Sequence, residues 1–211
     1  MSLQPKPIIM STPMVLSLND DAKTQTRRTS GLEGFSRAAV VAGYETKGRD
    51  FFARITQPDR RGDPWEAMVK CRYGGPGGQL YVREGVRRKP ADPNDRGCCA
   101  EYIADRAPAP CDTWGWKNPA LPAIHMPSGM CRHRLELIEI RIERVQSISE
   151  SDARAEGIRS SGPGVFFWPG ADRNYATAVA AYMHGWVWLN GQGSWDLNPL
   201  VWVLSFKQVL R

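Results

Sequence analysis

The run Leu135-Glu136-Leu137-Ile138-Glu139-Ile140-Arg141-Ile142-Glu143-Arg144-Val145 restricts the fold more than any other segment. Apolar and charged residues alternate with a period of two, which marks a strand with one buried face. Leu135 and Leu137 share one parity, whereas Ile138, Ile140 and Ile142 share the other, so a β-bulge is expected near Leu137-Ile138. Such a strand needs partners. Leu80 to Glu84 supplies one, straight after Cys71-Arg72-Tyr73-Gly74-Gly75-Pro76-Gly77-Gly78, where the density of Gly and Pro forces a chain reversal. Val201 to Val209, rich in β-branched and aromatic residues, supplies another.

Helices surround these strands. Ser11-Thr12-Pro13 is a helix start, a hydroxyl cap followed by proline in the first turn, and Asn19-Asp20-Asp21 ends that short helix. Lys23 to Arg28 leaves the turn as an extended segment. Ser149-Glu150-Ser151-Asp152 opens a second helix with an acidic variant of the capping box, and Gly157 stops it. Asp172 to about Leu189 reads as an amphipathic helix, with Tyr175, Val179, Tyr182, Met183 and Trp186 spaced by three and four. Two stretches, roughly 29–64 and 87–124, have weak periodicity and read as irregular insertions. The first carries a strand around Phe51 to Ile55, and the second at most a short strand near Tyr102. The expected architecture is a single α+β domain over residues 1–211, with strands enough for a small, partly closed barrel.

Basic residues outnumber acidic ones, 28 to 22, giving a net charge of +6. That makes a polyanion a plausible partner, although charge alone does not decide it. No apolar run reaches the ~18 residues of a membrane span, and the first residues lack the apolar core of a secretion signal, so a cytoplasmic protein with no membrane partner is expected. The five cysteines agree with a reducing compartment, being odd in number and irregular in spacing. Cys98, Cys99, Cys111 and Cys131 offer thiolates to zinc, but no pair has the two-residue gap that grips one ion; free thiols, and no metal or other cofactor, are expected. Gly74 to Gly78 lacks the Gly-Lys-Ser/Thr ending of a phosphate loop and is a turn. Of His125 and His133 one could be catalytic, but with no acidic partner nearby a structural role is expected, and His184 on the amphipathic helix reads as a surface or core residue.

Taken in order, STPM…KTQTRR, CRYGGPGGQLYVRE, IHMP, LELIEIRIERVQSISESDARAEGI and NGQGSWDLNPLVWVLSFK resemble the ASCH-domain proteins, most of all the versions of roughly 200 residues carried by phages and prophages. The resemblance covers about residues 7 to 207. It implies a PUA-like fold, a small β-barrel flanked by helices, with a cleft that handles RNA or a modified nucleoside. Some small members are acetylcytidine amidohydrolases that use a Lys, a Thr and a Glu. Their Lys-x-x-Thr spacing falls on Lys23 and Thr26, and the Glu of the helix after the long strand falls on Glu156. In that scheme Thr26 is the nucleophile, while Lys23 and Glu156 handle protons; Lys23 could serve as base only if burial and the neighbouring Arg27 and Arg28 depress its pKa from ~10.4. This chain is about twice the length of those enzymes.

Several further residues are candidate contacts. Arg27 and Arg28 suit phosphates. Glu84 ends a strand beside the Gly-rich turn, where side chains often face a cleft. Trp114 and Trp116, beside Lys117, suit stacking on a base. Trp195 and Trp202 read as core. Three functions remain open: hydrolysis of an N-acylated cytidine or related pyrimidine, non-catalytic RNA binding, and metal-independent cleavage of RNA.

Overall fold

A computed structural model describes residues 4–89 and 99–209. Along the chain the strands and longer helices are β1 (Lys6–Ile9), α1 (Thr12–Asn19), β2 (Gln25–Arg28), β3 (Val40–Lys47), β4 (Asp50–Pro58) and β5 (Pro64–Lys70). Then come β6 (Gln79–Arg83), β7 (Val86–Arg88), β8 (Ala100–Tyr102), β9 (Pro108–Ala109), β10 (Ala120–Leu121) and β11 (Arg134–Arg144). The last part holds α2 (Glu150–Ala155), β12 (Arg159–Gly162), β13 (Val165–Phe167), β14 (Asn174–Tyr175), α3 (Ala178–Asn190) and β15 (Leu200–Val209). The protein is a mixed α/β structure, mostly sheet with few helices.

Its centre is a five-stranded sheet in the order β1-β6-β11-β15-β2. β11 is the long strand anticipated from the alternating run, and its register on β15 shifts between Leu137 and Glu139. That bulge carries out the parity switch. Leu135 and Leu137 stay buried before it, Ile140 and Ile142 are buried after it, and Ile138 is left exposed at the kink. β1 and β2 are the two edges, and among the described residues no strand pair closes the sheet into a barrel. β2 pairs with β15 alone, with Thr26 opposite Leu204 and Arg27 opposite Val203. Its free edge is met by the end of α2, through an isolated bridge between Lys23 and Glu156.

Both supposed insertions are more ordered than their sequences suggest. Within 29–64 and a little beyond, β3, β4 and β5 form an antiparallel meander. β4 sends Phe51, Ala53 and Ile55 into the main core, where the Phe51 ring meets the fully buried Trp202 edge-on at 6.3 Å. The alternation in β4 is real (Phe51, Ala53 and Ile55 buried), but β3 and β5 expose most of their residues and therefore show no two-residue period. The second stretch carries a four-stranded sheet, β10-β7-β8-β9, over a smaller core of its own that includes Val86, Tyr102, Leu121 and Met126. Its strands of two or three residues are too short for periodicity to reveal.

The helix expected from Asp172 begins later, at Ala178. Asn174–Tyr175 instead pairs with β13, and Thr177 caps the helix by accepting a hydrogen bond from the Ala180 N–H at 3.1 Å. Glu150 of α2 accepts from the Ala178 and Val179 N–H groups at 2.8 and 3.2 Å, which adds a carboxylate to the positive end of α3. Among the described residues no helix is long and apolar enough to cross a membrane.

Candidate functional site

Three local devices bring Lys23, Arg27 and Glu156 together. α2 starts where expected, with Ser149 Oγ accepting from the Asp152 N–H at 3.1 Å. Asp152 does not reach back to complete a capping box; its carboxylate is turned to Arg27, Arg141 and Gln25. The helix ends at Glu156 because Gly157 adopts φ +99°, the left-handed region. Gly157 is also where α1 comes closest. Ser17 Oγ donates to its carbonyl at 3.0 Å, and a Cβ at this position would lie 2.6 Å from Ser17 Cβ. The helix end is thereby pinned against the β2 edge.

Lys23 Nζ donates to Glu156 Oε2 at 2.8 Å and to the Glu156 carbonyl at 2.7 Å, with both residues almost wholly buried (1% and 2% exposed). Burial pushes the Lys23 ammonium below its ordinary pKa; Glu156 opposes that shift, and Arg28 and Arg27 add to it. Arg27 Nη1 reaches Glu156 Oε1 at 3.3 Å and Gln25 Oε1 at 2.6 Å. Its Nη2 pairs with Glu143 and with Asp152 Oδ2, the latter at 3.1 Å. Burial would lower the Arg27 pKa, but Glu156, Tyr182 and Glu143 outweigh it and raise the value. Lys23, Arg27 and Arg141 thus interlock with Glu143, Asp152 and Glu156 on one face of the sheet. Such a cluster fixes geometry more than it adds stability.

Thr26 lies elsewhere. Neighbouring residues of a strand point to opposite faces, so Thr26 faces away from Gln25 and Arg27. It is fully buried, and its hydroxyl has no hydrogen-bond partner. Of the three residues assigned to chemistry, the structure joins Lys23 to Glu156 and leaves Thr26 on the other side.

A cavity of about 470 Å³ opens beside this network. Its lining includes Glu156, Arg27 and Arg28, the start of α1 at Ser11 and Thr12, and the aromatic rings of Tyr73, Trp168, Tyr182 and Trp186. Lys23 and Thr26 are not part of that lining. Tyr182 and Trp186, one turn apart on α3, have ring centroids 6.2 Å apart, and Trp168 lies 6.5 Å from Tyr182. Burial raises the Tyr182 hydroxyl pKa well above its usual value, so it is a neutral donor. Trp168 can sit there only because residue 185 is glycine, since a Cβ on Gly185 would lie 2.1 Å from the Trp168 ring. An isolated glycine within a helical pattern signals such a close approach. Trp168 itself carried no signal, because its partners are distant in sequence.

The remaining candidates lie apart from the cavity. Glu84 is buried and forms a two-pronged pair with Arg132, at 2.8 Å on each carboxylate oxygen, while the Arg132 guanidinium stacks 3.9 Å above the Tyr102 ring. Neighbouring Glu84 and Asp105 raise the Arg132 pKa against its burial. Glu84 lies outside the cavity lining, and its pair with Arg132 joins the main sheet to the smaller one. Trp114 and Trp116 pack edge to face at 4.9 Å against the smaller core, and Trp114 Nε1 donates to the Asn118 carbonyl at 2.9 Å. Trp116 and Lys117 line a separate recess with Pro122 and His125. Of the zinc candidates, Cys98 lies outside the described residues, Cys99 and Cys111 have sulfurs 2.9 Å apart, and Cys131 Sγ bonds the His133 carbonyl at 3.1 Å. Among the described residues no three His, Cys, Asp or Glu side chains converge as a metal set.

No family model, curated protein or solved structure matches the chain.

Proposed function

We propose that the protein is an ASCH-type, PUA-like domain that recognises a single nucleobase, free or modified, in the cavity beside Glu156. The observation that carries this is the lining itself: three aromatic rings from Trp168, Tyr182 and Trp186 beside a buried carboxylate and guanidinium. A planar heterocycle needs rings to stack on and fixed polar groups on its edge, and a volume near 470 Å³ is within the range of pockets that enclose one small ligand. The Lys23–Glu156 pair holds that carboxylate in a single orientation.

The test uses the two cavity tryptophans as reporters. Titration with nucleosides and N-acylnucleosides should change the tryptophan fluorescence of the wild type, and Trp186→Ala should weaken that binding at least tenfold. Saturable binding that Trp186→Ala leaves untouched would place the ligand elsewhere.

Hydrolysis of an N-acylcytidine is a second reading, favoured by the buried Glu156 carboxylate in the cavity wall. Water would add its hydroxyl to the acyl carbon and its proton to the departing exocyclic amine as the C–N bond breaks. Glu156, which lines the cavity, is placed to take the proton of the attacking group. Thr26 is fully buried and outside the cavity lining, so it would have to leave its enclosed position to act as nucleophile, and recognition ranks ahead of hydrolysis. Incubation with N-acetylcytidine, followed by chromatography, should give cytidine with the wild type and none with Glu156→Gln if the second reading holds. Product formed equally by Thr26→Val would remove Thr26 from the mechanism.

A further inference from the structure

We infer that the cavity takes its base as a mononucleotide, with the phosphate held by Arg28 and the first turn of α1; this rests on the base-binding reading. Arg28 is half-buried and lines the cavity. Its Nη2 donates to the Ile9 carbonyl at 2.7 Å, its Nε is buried without a partner, and among the described residues no carboxylate pairs with it. Arg27, one residue earlier, has Glu143, Asp152 and Glu156. A partly buried cation without a counter-ion is costly, and a bound anion supplies one.

The groups around Arg28 have the same bias. Ser11 is the N-cap residue of α1, yet its hydroxyl makes no capping bond and has no partner at all. It lines the cavity at the positive end of the helix, where anions are favoured. Trp168 and Trp186, each 5% exposed, also line the cavity, and both indole N–H groups are buried and unpartnered. An indole nitrogen only donates. The one carboxylate in the lining, Glu156, already accepts from Lys23 and Arg27. The lining therefore holds a cation with no carboxylate partner beside a carboxylate that is already engaged, and its complement is a negative ligand. A phosphate monoester brings three acceptor oxygens and a charge of about −1.5 to −2 near pH 7. The volume is enough for one nucleotide.

The experiment is calorimetric titration of the wild type, Arg28→Gln and Ser11→Ala with each of the four ribonucleosides, its 5′-monophosphate, inorganic phosphate, acetate and a short single-stranded RNA. For the base that binds, the 5′-monophosphate should bind at least tenfold tighter than the nucleoside. The ratio should fall below threefold in Arg28→Gln and decline in Ser11→Ala. Ser11→Ala should keep the wild-type melting temperature, because the lost hydroxyl makes no bond in the folded protein. Equal affinity for nucleoside and nucleotide, or a ratio unchanged in Arg28→Gln, would overturn the phosphate assignment while leaving base recognition standing. Arg28-dependent binding of inorganic phosphate with no binding of any nucleoside or nucleotide would do the reverse. Acetate matching phosphate would make the site a carboxylate site, and RNA binding more tightly than every nucleotide would overturn the mononucleotide. Silence from every ligand would reject both.

Discussion

Glu156→Gln is the perturbation whose outcome the structure fixes most firmly. The substitution preserves shape and an acceptor oxygen but removes the charge that faces Lys23, whose side chain is fully enclosed. An ammonium left at that depth with only the Glu156 carbonyl and an amide oxygen is an uncompensated buried charge, and breaking such a pair costs about 3–5 kcal/mol. Arg27 loses little by comparison, because Glu143 and Asp152 still hold its other nitrogen. For a chain of this length each kcal/mol lowers the melting temperature by roughly 2–4 °C, so a fall of about 6–20 °C is expected. Urea unfolding followed by far-UV circular dichroism gives the free energy directly. Lys23→Met/Glu156→Gln should recover at least half of the loss, since the stranded charge is then gone. The pH dependence has a definite sign. Lys23 titrates below its unfolded value of 10.5, so charging it costs stability; the Glu156→Gln defect is full where Lys23 is charged in both states and shrinks as pH climbs towards 10.5. A single mutant within about 1 kcal/mol of wild type, or a double mutant whose losses simply add, would refute a buried, charged Lys23.

Three further outcomes are expected. Phe51→Ala should cost about 3–5 kcal/mol in chemical denaturation, because the ring belongs to the main core against Trp202; a dispensable insertion would lose almost nothing. Gly185→Ala should destabilise by about 1–3 kcal/mol in the same assay and weaken ligand binding with it, since the new methyl must displace Trp168 from the cavity wall. At the acid end, burial raises the Asp152 pKa, but Arg27, Arg141 and the bond from Gln25 outweigh it and hold the carboxyl below 3.8. Its contribution is present above that value and is lost as pH falls through the depressed one, so thermal melts of wild type between pH 4 and 2 should decline more steeply than those of Asp152→Asn.

What could be read in the chain depended on whether the determining contact was local. The β11 bulge, the three helices, the stop at Gly157 and the closing strand each have their cause within about ten residues: a parity switch, a cap, a positive φ. The late start of α3 combines a local cap, Thr177, with a distant carboxylate, Glu150, on its first turn and a pairing of Tyr175 to β13 that no spacing announces. β3 and β5 were hidden because a strand that buries little shows no alternation. At the site, Lys23 and Glu156 were legible as a pair only through resemblance, being 133 residues apart. Trp168 and the free charge on Arg28 were not legible at all, since each is defined by what surrounds it and what does not.

The enclosure of Thr26 outside the cavity lining sets the order of the functional readings. The interlocked charges fix Glu156, Arg27 and the cavity wall whether the protein only binds or also reacts, so losing any of them impairs both. Thr26 alone separates the two. Its hydroxyl is enclosed opposite Leu204 without a partner, an arrangement that costs roughly 1–3 kcal/mol relative to a satisfied group. If the hydroxyl has no task, Thr26→Val removes an unsatisfied group at nearly constant shape, and the variant should be as stable as wild type or more so, with ligand affinity unchanged. If the alcohol turns towards the cavity during turnover, the same variant keeps its affinity for the ligand and loses the reaction. Denaturation, binding and product assays on that one variant therefore discriminate recognition from hydrolysis, and a Thr26→Val protein that is both less stable and unable to bind would contradict the strand geometry on which either reading stands.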